Sequence, residues 1–327
     1  MTLHGIDDRS QSTLISVGVE VAGNHKELLI KSPKVATFDP RCNDRLLQPV
    51  SAPLVKSKLE YEALTAIARH FDALEDPRFG WIQVYAHLHH PPATIVEWVS
   101  VPTFAKLLRR PDPAISDYDT LTVFRNLGGW LAEYHGISMP KLEVRDAEAS
   151  QVIEGMLKLV DIILKSNTWP RLPTGVADVI RQRATYLLPT KLPLGLVHGD
   201  FAPRNVFIGS GSRVTVIDSL GRYRAPIYED LAYLLVELLS GATRLRRRGL
   251  PISTAELASM RAELLSGYGI ADDVILSIFE LRALLDKWRS LAQRSRSSNL
   301  RGRAASMTDT LRRFIVARRV NDIIKQL

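Results

Sequence analysis

The chain has 327 residues, of which 46% are apolar and 24% charged, a composition typical of a folded globular protein with ample length for a core. Its single cysteine, Cys42, excludes a disulfide within the chain and a thiolate zinc site. No apolar stretch reaches the ~18 residues that would span a bilayer, and no signal peptide is visible, so we expect a cytoplasmic protein with no membrane partner.

The net charge of +8 is concentrated near the C terminus, where residues 241–327 hold 17 Lys and Arg against 8 Asp and Glu. Because these charges are spread along the segment and not clustered in blocks, we interpret them as arginines on the solvated faces of helices. The alternative is a surface for an anionic partner, such as a phosphorylated sugar, a nucleic acid or a membrane. No aromatic residues alternate regularly with the arginines, which argues against nucleic acid.

The first part of the chain has the pattern of a small sheet with one helix. β-branched and alternating residues predict strands at 13–21, 26–31, 81–88 and 93–99. Apolar residues at helical spacing predict a helix over residues 57–71. The few residues before the first of these strands leave little room for another, so we expect an abbreviated lid. Residues 1–99 are therefore predicted to form a mostly antiparallel N-terminal lobe.

From residue 103 onward the pattern is mainly helical. Ser116 and Asp119 form a capping box that predicts a helix ending at His135-Gly136. Short strands are predicted at 194–198, 204–208 and 213–218, helices at 254–267, 271–293 and 307–325, and a loop at 294–304. We therefore expect residues 100–327 to form a larger, mainly helical lobe, which makes the protein α+β and two-lobed.

The residues that indicate chemistry follow the pattern His198-x-Asp200-x-x-x-x-Asn205, with Asp218 at the end of the next apolar strand. Phosphoryl transfer needs a carboxylate to take the acceptor's proton, and it needs magnesium held by oxygen ligands to neutralise the phosphate. Asp200 suits the first task, and Asn205 and Asp218 suit the second. The alternative is a polar turn between two strands, in which Asp and Asn act as turn formers.

The stretch His198-Gly199-Asp200-Phe201 resembles the aminoglycoside phosphotransferase and choline kinase family. Leu127-Gly-x-x-Leu131-Ala-x-x-His135 and Pro226-x-x-Glu-Asp230-Leu-Ala-Tyr are also similar to that family. The resemblance covers residues 12 to about 290 and implies a protein-kinase-like fold that binds ATP and Mg²⁺ and phosphorylates a small-molecule hydroxyl.

The same resemblance implies roles for individual residues. Asp200 would be the catalytic base, and Asn205 and Asp218 would bind magnesium. His198 is placed with Asp200 in the catalytic loop, where it and Asp230 would act as structural supports.

In the N-terminal lobe, the resemblance makes Lys31 the ATP-binding lysine, because it ends an apolar strand. Glu60 is the expected partner of Lys31, with Glu62 as the reserve. Glu97 and Val99, in Thr-Ile-Val-Glu-Trp-Val, resemble a hinge whose backbone would bind adenine. The sequence departs from the family in having no Gly-x-Gly-x-x-Gly before Lys31, and Asp218 is followed by Ser-Leu-Gly.

Other polar groups have weaker indications. His87, His89 and His90 are expected to serve surface or turn roles rather than to bind metal, because neighbours on a strand point to opposite faces. Arg222 and Arg224 follow Asp218 and are an alternative contact for an anionic acceptor. Arg244 and Arg246–Arg248 are interpreted as a helix end.

The expected activity is ATP-dependent phosphorylation of a hydroxyl on a sugar, an amino alcohol or a related metabolite. An aminoglycoside-type antibiotic phosphotransferase is an alternative, although the basic C-terminal part argues against a polycationic acceptor. A catalytically silent nucleotide-binding module and a protein kinase are further alternatives. The sequence predicts no oligomeric state.

Overall fold

The computed structural model describes residues 2–8, 12–21, 23–34, 53–109, 118–139, 142–166, 170–219, 221, 223–240, 253–297 and 303–327. Cys42, Ser116, Arg222 and the arginines at 244 and 246–248 lie outside the described residues. None of the helices in the described part of the chain is long and apolar enough to cross a membrane.

The strands and helices have the following bounds. The strands are β1 (Thr2–Asp8), β2 (Ser12–Val21), β3 (Asn24–Pro33), β4 (Phe79–Gly80), β5 (Val84–His89), β6 (Pro92–Glu97), β7 (Glu143–Val144), β8 (Leu194–Leu196), β9 (Val206–Ile208), β10 (Val214–Val216) and β11 (Tyr223–Pro226). The helices are α1 (Pro53–Leu74), α2 (Phe104–Arg109), α3 (Thr120–Gly136), α4 (Ala149–Ser166), α5 (Val176–Val179), α6 (Thr185–Leu187), α7 (Tyr228–Ser240), α8 (Thr254–Tyr268), α9 (Val274–Ser297) and α10 (Arg303–Gln326). A π-helical turn, Ile180–Ala184, joins α5 to α6, and 3₁₀ turns lie at Pro203–Asn205 and Ser210–Ser212.

The N-terminal lobe is a five-stranded sheet in the order β1-β2-β3-β6-β5, and its paired strands are antiparallel. The predicted strands and the predicted helix of this lobe are confirmed, with bounds shifted by a few residues. The expectation of an abbreviated first strand is wrong, because β1 spans seven residues and pairs along β2. As an edge strand β1 is largely exposed, so it is held by backbone pairing and has little of the apolar alternation that sequence patterns detect.

Helix α1 connects the sheet to the C-terminal lobe. Ala63 and Ile67 are buried on one face of α1, and Phe71 near its C-terminal end is fully buried. The Phe71 ring stacks on Trp130 of α3 with centroids 4.9 Å apart. Trp130 Nε1 donates to the Gly80 carbonyl at 3.2 Å, and β4 pairs with β10 of the C-terminal lobe. The two lobes therefore share one apolar core.

The C-terminal lobe contains two three-stranded sheets, β4-β10-β9 and β7-β11-β8, surrounded by helices. Helix α3 begins with Asp119 as its N-cap, which accepts a hydrogen bond from the Thr122 N–H at 2.7 Å. The predicted capping box therefore has a different register, because Asp119 is the cap and not the third helical residue. The predicted end of α3 at Gly136 and the three C-terminal helices are confirmed, although α9 extends to Ser297 and α10 begins at Arg303 within the stretch predicted as a loop.

The arginines of the basic C-terminal part are not all on solvated faces. Arg282 is largely buried and lies between Asp146, at 2.5 Å, and Glu229, at 2.8 Å. Arg261 bonds to Asp272 at 2.6 Å and also contacts Glu280. These arginines pair with acids from other helices or loops, so part of the positive charge predicted for the surface is neutralised inside the fold.

Two glycines set the distance between α3 and α8. A Cβ at Gly128 would lie 2.0 Å from the Leu264 carbonyl oxygen, and a Cβ at Gly267 would lie 1.9 Å from the Arg125 carbonyl oxygen. The two helix backbones therefore touch at two points that only glycine allows. This contact matters for the site because α3 and α8 each contribute a side chain to it.

We expect Gly128→Ala to destabilise the protein by about 1–3 kcal/mol through overpacking, although alanine is the better helix former by about 1 kcal/mol. The control is Gly136→Ala on the same helix, where no atom lies within 4 Å of the added Cβ. Urea unfolding of both variants measures the difference. Equal stabilities would contradict the close approach of α3 and α8.

Candidate active site

The loop at residues 198–200 is held by the buried carboxylate of Asp230, at the start of α7. Asp230 Oδ2 accepts from the His198 N–H at 2.6 Å, and Oδ1 accepts from the Gly199 N–H at 2.9 Å. Gly199 has a φ of 78°, a left-handed conformation that favours glycine. A third donor, His135 Nε2 of α3, lies 3.1 Å from Asp230 Oδ2, and His135 Nδ1 lies 2.8 Å from the Tyr268 hydroxyl of α8.

These hydrogen bonds determine the charge of Asp230. Burial by itself raises the pKa of a carboxyl group, but the hydrogen bonds from His135 and from the His198 backbone outweigh burial and lower the pKa of Asp230. Asp230 is therefore ionised, and its charge is shared among three donors.

His198 is fully buried and has its tautomer set by its two neighbours. Its Nε2 donates to the Ile217 carbonyl at 2.9 Å, and its Nδ1 accepts from the Asp200 N–H at 3.2 Å. A backbone amide can only donate and a carbonyl can only accept, so the ring is neutral. Burial lowers the pKa of His198, which favours the same neutral form. His198 thus positions the backbone before Asp218 and at Asp200, consistent with the predicted supporting role.

The Asp200 carboxylate is half-exposed and has three side-chain partners. Its Oδ1 accepts from the Tyr233 hydroxyl at 3.0 Å and contacts Arg204, and its Oδ2 accepts from Asn205 Nδ2 at 2.9 Å. Sequence reasoning did not single out Arg204 or Tyr233. The signal for Tyr233 was present, because it is the last residue of the family-like stretch that begins at Pro226.

A second carboxylate site forms where β3 meets α1. Lys31 Nζ lies 2.6 Å from Glu60 Oε1 and 2.9 Å from Asp218 Oδ1. Burial lowers the pKa of a lysine, but the two carboxylates outweigh it and raise the pKa of Lys31, which stays charged. The predicted pair of Lys31 and Glu60 is therefore in contact. The reserve, Glu62, instead lies on the exposed side of α1, 3.9 Å from Lys58.

Asp218 has a φ of 59°, a conformation that non-glycine residues rarely adopt and that concentrates at functional sites. Its neighbour Ser219 is buried and shares a hydrogen bond with the Tyr134 hydroxyl of α3. A Cβ at Gly221 would lie 2.6 Å from the Ala63 Cβ of α1. The segment after Asp218 is therefore fixed from both lobes.

Asn205 and Asp218 supply the donor atoms that a hard cation requires. The Asn205 Nδ2 group donates to the carbonyl oxygen and to Oδ2 of Asp200, both at 2.9 Å. Both of these atoms are acceptors, so the nitrogen is assigned to this side and Oδ1 is the atom that can bind a cation. An amide oxygen and a carboxylate match the ligands that Mg²⁺ prefers, so the residues present fit this ion.

The predicted hinge residues lie at the end of β6. The Glu97 N–H donates to the Gln83 carbonyl at 2.9 Å, and the Trp98 N–H donates to the Glu27 carbonyl at 3.1 Å. Val99 follows the strand, and its backbone makes no hydrogen bond to the other described residues. Glu97 is thus fastened to the sheet, whereas the edge at Val99 is not paired within the described chain.

The weaker candidates have local partners. Arg224 on β11 donates to the Leu194 carbonyl at 3.0 Å. His87 Nε2 lies 2.8 Å from the Ser57 hydroxyl, and His87 and His89 contact each other edge to face. Among the described residues, the group close enough to hold a metal ion does not include the histidines of β5.

Comparisons with known proteins identify the family and the fold. A model of the phosphotransferase enzyme family matches residues 44–274. The structure resembles a Ralstonia eutropha protein named for the aminoglycoside phosphotransferases, with a TM-score of 0.63, 15% identity and coverage of 99% of this chain and 93% of that chain. It also resembles a glucosamine kinase in complex with glucosamine, ADP and inorganic phosphate (0.57, 14%, 95% and 80%) and a choline kinase from Streptococcus pneumoniae (0.54, 13%, 98% and 95%).

A sequence comparison with curated proteins finds no match. The structural likenesses establish the two-lobed protein-kinase-like fold that was predicted.

The neutral, buried His198 predicts a pH dependence of stability. Its pKa is lowered in the folded state from the ordinary value of 6.5, so below pH 6.5 the unfolded chain takes up a proton that the folded chain does not. The free energy of unfolding should therefore decrease as the pH falls, by up to about 1.4 kcal/mol between pH 7.5 and 5.5 from this residue.

Urea unfolding of the wild type and of His198→Asn at both pH values isolates this contribution, because the other groups titrate in both proteins. The variant should lose less stability on acidification. His70→Asn, at a half-buried histidine 3.2 Å from Glu133, is the control and should retain the wild-type dependence. The same loss in all three proteins would contradict a neutral His198.

Proposed function

The chain belongs to the phosphotransferase enzyme family, and we propose that it transfers the γ-phosphate of ATP to a hydroxyl of a sugar, an amino alcohol or a related metabolite. The proposal depends on one observation: the group of charged side chains around Lys31 and the group around Asp200 lie on segments that are hydrogen-bonded to each other. Lys31 contacts both Glu60 and Asp218, Asp200 contacts Asn205, and the backbone N–H just before Asp218 donates to the Asn205 carbonyl at 2.9 Å.

The first site supports nucleotide binding. Lys31 carries a positive charge that Glu60 and Asp218 hold in place, as a ligand for the α- and β-phosphates requires. The backbone from Glu97 to Val99 is the proposed adenine contact, and the unpaired edge at Val99 within the described chain supports it. The glucosamine kinase, a neighbour in complex with ADP, is consistent with an adenine nucleotide.

Asn205 Oδ1 and the Asp218 carboxylate are the proposed magnesium ligands. When bound there, magnesium would supply positive charge beside the transferred phosphate. The chain itself holds both ligands in position, since the Asn205 nitrogen is bonded to Asp200 and the residue after Asp218 is anchored by Tyr134.

Asp200 is the proposed base, which accepts the proton of the attacking hydroxyl on a carboxylate oxygen. Tyr233 and Asn205 hold the two carboxylate oxygens from opposite ends, and the side chain remains 35% exposed, so an acceptor hydroxyl can reach it. His198 and Asp230 act through the backbone of the same loop and are positioning residues.

Charges beside the base support a neutral or singly charged acceptor. Arg204 contacts Asp200 and lies 3.3 Å from Glu237, which also contacts Lys287. Because both carboxylates are already paired with cations, they add little attraction for a polycationic antibiotic. Glucosamine and choline, the compounds named with two of the structural neighbours, are hydroxyl acceptors of low charge and come first in the screen.

We expect phosphate transfer from ATP to at least one member of a panel of sugars, amino sugars, amino alcohols, nucleosides and aminoglycosides. Asp200→Asn should lower kcat by about 10²–10⁴-fold while ATP binding is retained, because only the proton acceptor is removed. A coupled ADP-release assay and calorimetric ATP titration measure the two effects.

Full activity of Asp200→Asn would contradict the assignment of the base. ATP binding with no transfer to any compound in the panel would favour the silent nucleotide-binding module. Transfer only to aminoglycosides would favour the antibiotic phosphotransferase instead.

The two glutamates of α1 give a matched test of the nucleotide site. Glu60→Gln should raise the KM for ATP by about 10–100-fold, because a hydrogen bond between charged groups that holds Lys31 contributes about 1.5–3 kcal/mol. Glu62→Gln, two residues away and bonded only at the surface to Lys58 among the contacts described, should match the wild type. Equal KM values in both variants would contradict the role of Glu60.

A further inference from the structure

His4, His25 and Glu27 form a second group of potential ligands, on the sheet of the N-terminal lobe. We propose that this group is a binding site for a transition-metal ion such as Zn²⁺, separate from the magnesium ligands. Their ligand atoms all lie within 4.8 Å of one another. Glu27 Oε2 lies 3.2 Å from His4 Nε2, and Glu27 Oε1 lies 2.7 Å from His25 Nε2. Two imidazoles and one carboxylate are a ligand set that binds zinc in proteins.

The strands bring these side chains to one place. In the sheet register Gly18 of β2 pairs with Glu27 of β3 and with Thr2 of β1. A Cβ at Gly18 would lie 2.7 Å from His4 Nε2 and 2.8 Å from His25 Cε1. Both rings therefore lie directly over a glycine, and the absence of a side chain there is what lets them converge.

A β-bulge contributes to the position of His4. Leu3 pairs with Val17 and Gly5 pairs with Ser16, so His4 is the extra residue on β1. Bulges change the direction of a side chain and persist where that direction is used. His4 on β1 thereby comes within hydrogen-bonding distance of Glu27 on β3, although β2 lies between these two strands.

Glu20 holds His25 in the orientation that metal binding requires. Glu20 pairs with His25 across the sheet, and its Oε1 lies 3.1 Å from His25 Nδ1. A carboxylate on one ring nitrogen fixes the tautomer and presents the other nitrogen to a metal.

The dimensions suit a tetrahedral ion. Bonds of about 2.0–2.1 Å place the ligand atoms of tetrahedral zinc about 3.3 Å apart, so the measured 2.7 and 3.2 Å need only small side-chain rotations. The three side chains are 36–53% exposed, which gives an ion an entry path and leaves a position for water or a fourth ligand.

The site lies on the nucleotide side of the sheet. Alternate residues of a strand share a face, so His25 and Glu27 lie on the same face of β3 as Lys31. Lys31 is four positions after Glu27, about 13 Å along the strand. A bound ion would tie the edge strand β1 to β3 across β2, without using any residue of the proposed catalytic set.

The test is a calorimetric zinc titration of the full chain after chelator treatment, with millimolar Mg²⁺ present to suppress binding to oxygen-only sites. We expect one zinc ion per chain and a rise in melting temperature with zinc. His4→Ala and His25→Ala should abolish both effects, and Glu20→Gln should weaken binding by about 10–100-fold. Co²⁺ should give the visible absorption bands of a tetrahedral site.

Two further variants separate a built site from surface histidines. Gly18→Ala keeps every ligand but fills the space under both rings, so it should also weaken zinc binding. His70→Ala removes a histidine that lies 3.2 Å from Glu133 elsewhere in the protein, and should leave binding unchanged. Melting temperatures without metal check that each variant is folded. No zinc binding by the wild type, or equal binding by all variants, would overturn the proposal.

Discussion

The packing of the C-terminal lobe depends on the carboxylate of Asp230. This buried charge has its hydrogen-bond donors only when three separate segments come together. It accepts hydrogen bonds from the backbone of His198 and Gly199 and from the His135 side chain. A buried carboxylate without such donors would be strongly unfavourable. The shape of the loop, the position of α7 and the approach of α3 are therefore coupled through one side chain.

Packing around this carboxylate explains the contact between α3 and α8. His135 must lie close to both Asp230 and Tyr268, and the glycines at 128 and 267 allow the two helices to approach far enough for this. Backbone contact between helices usually requires small residues at the crossing. Here it serves to place a hydrogen-bonding chain that runs from α8 through α3 to the proposed catalytic loop.

The interface between the lobes depends on a different interaction, the contact of Lys31 with Glu60 and Asp218. It joins β3, α1 and the segment after β10, which are far apart in sequence. The proposed base has its own partners, Arg204 and Tyr233. The proposed nucleotide and acceptor sides thus have separate sets of charged partners.

The sequence alone predicted the two-lobed fold and most of the strands and helices, and it singled out the proposed site residues Asp200, Asn205, Asp218, Lys31 and Glu60. It could do so because apolar periodicity and motif spacing are local properties that can be recognised in the chain without knowledge of the fold. It failed for β1, since an exposed edge strand depends on pairing and not on apolar alternation.

Only the tertiary structure showed which side chains contact one another. Arg204 and Tyr233 reach Asp200, C-terminal arginines pair with acids of other segments, and His4 meets His25 over Gly18. None of these contacts has a spacing rule in the chain, because the distance between two side chains on different elements is set by how the elements pack. The sequence shows which chemical groups the side chains carry, and the fold decides which of those groups contact one another.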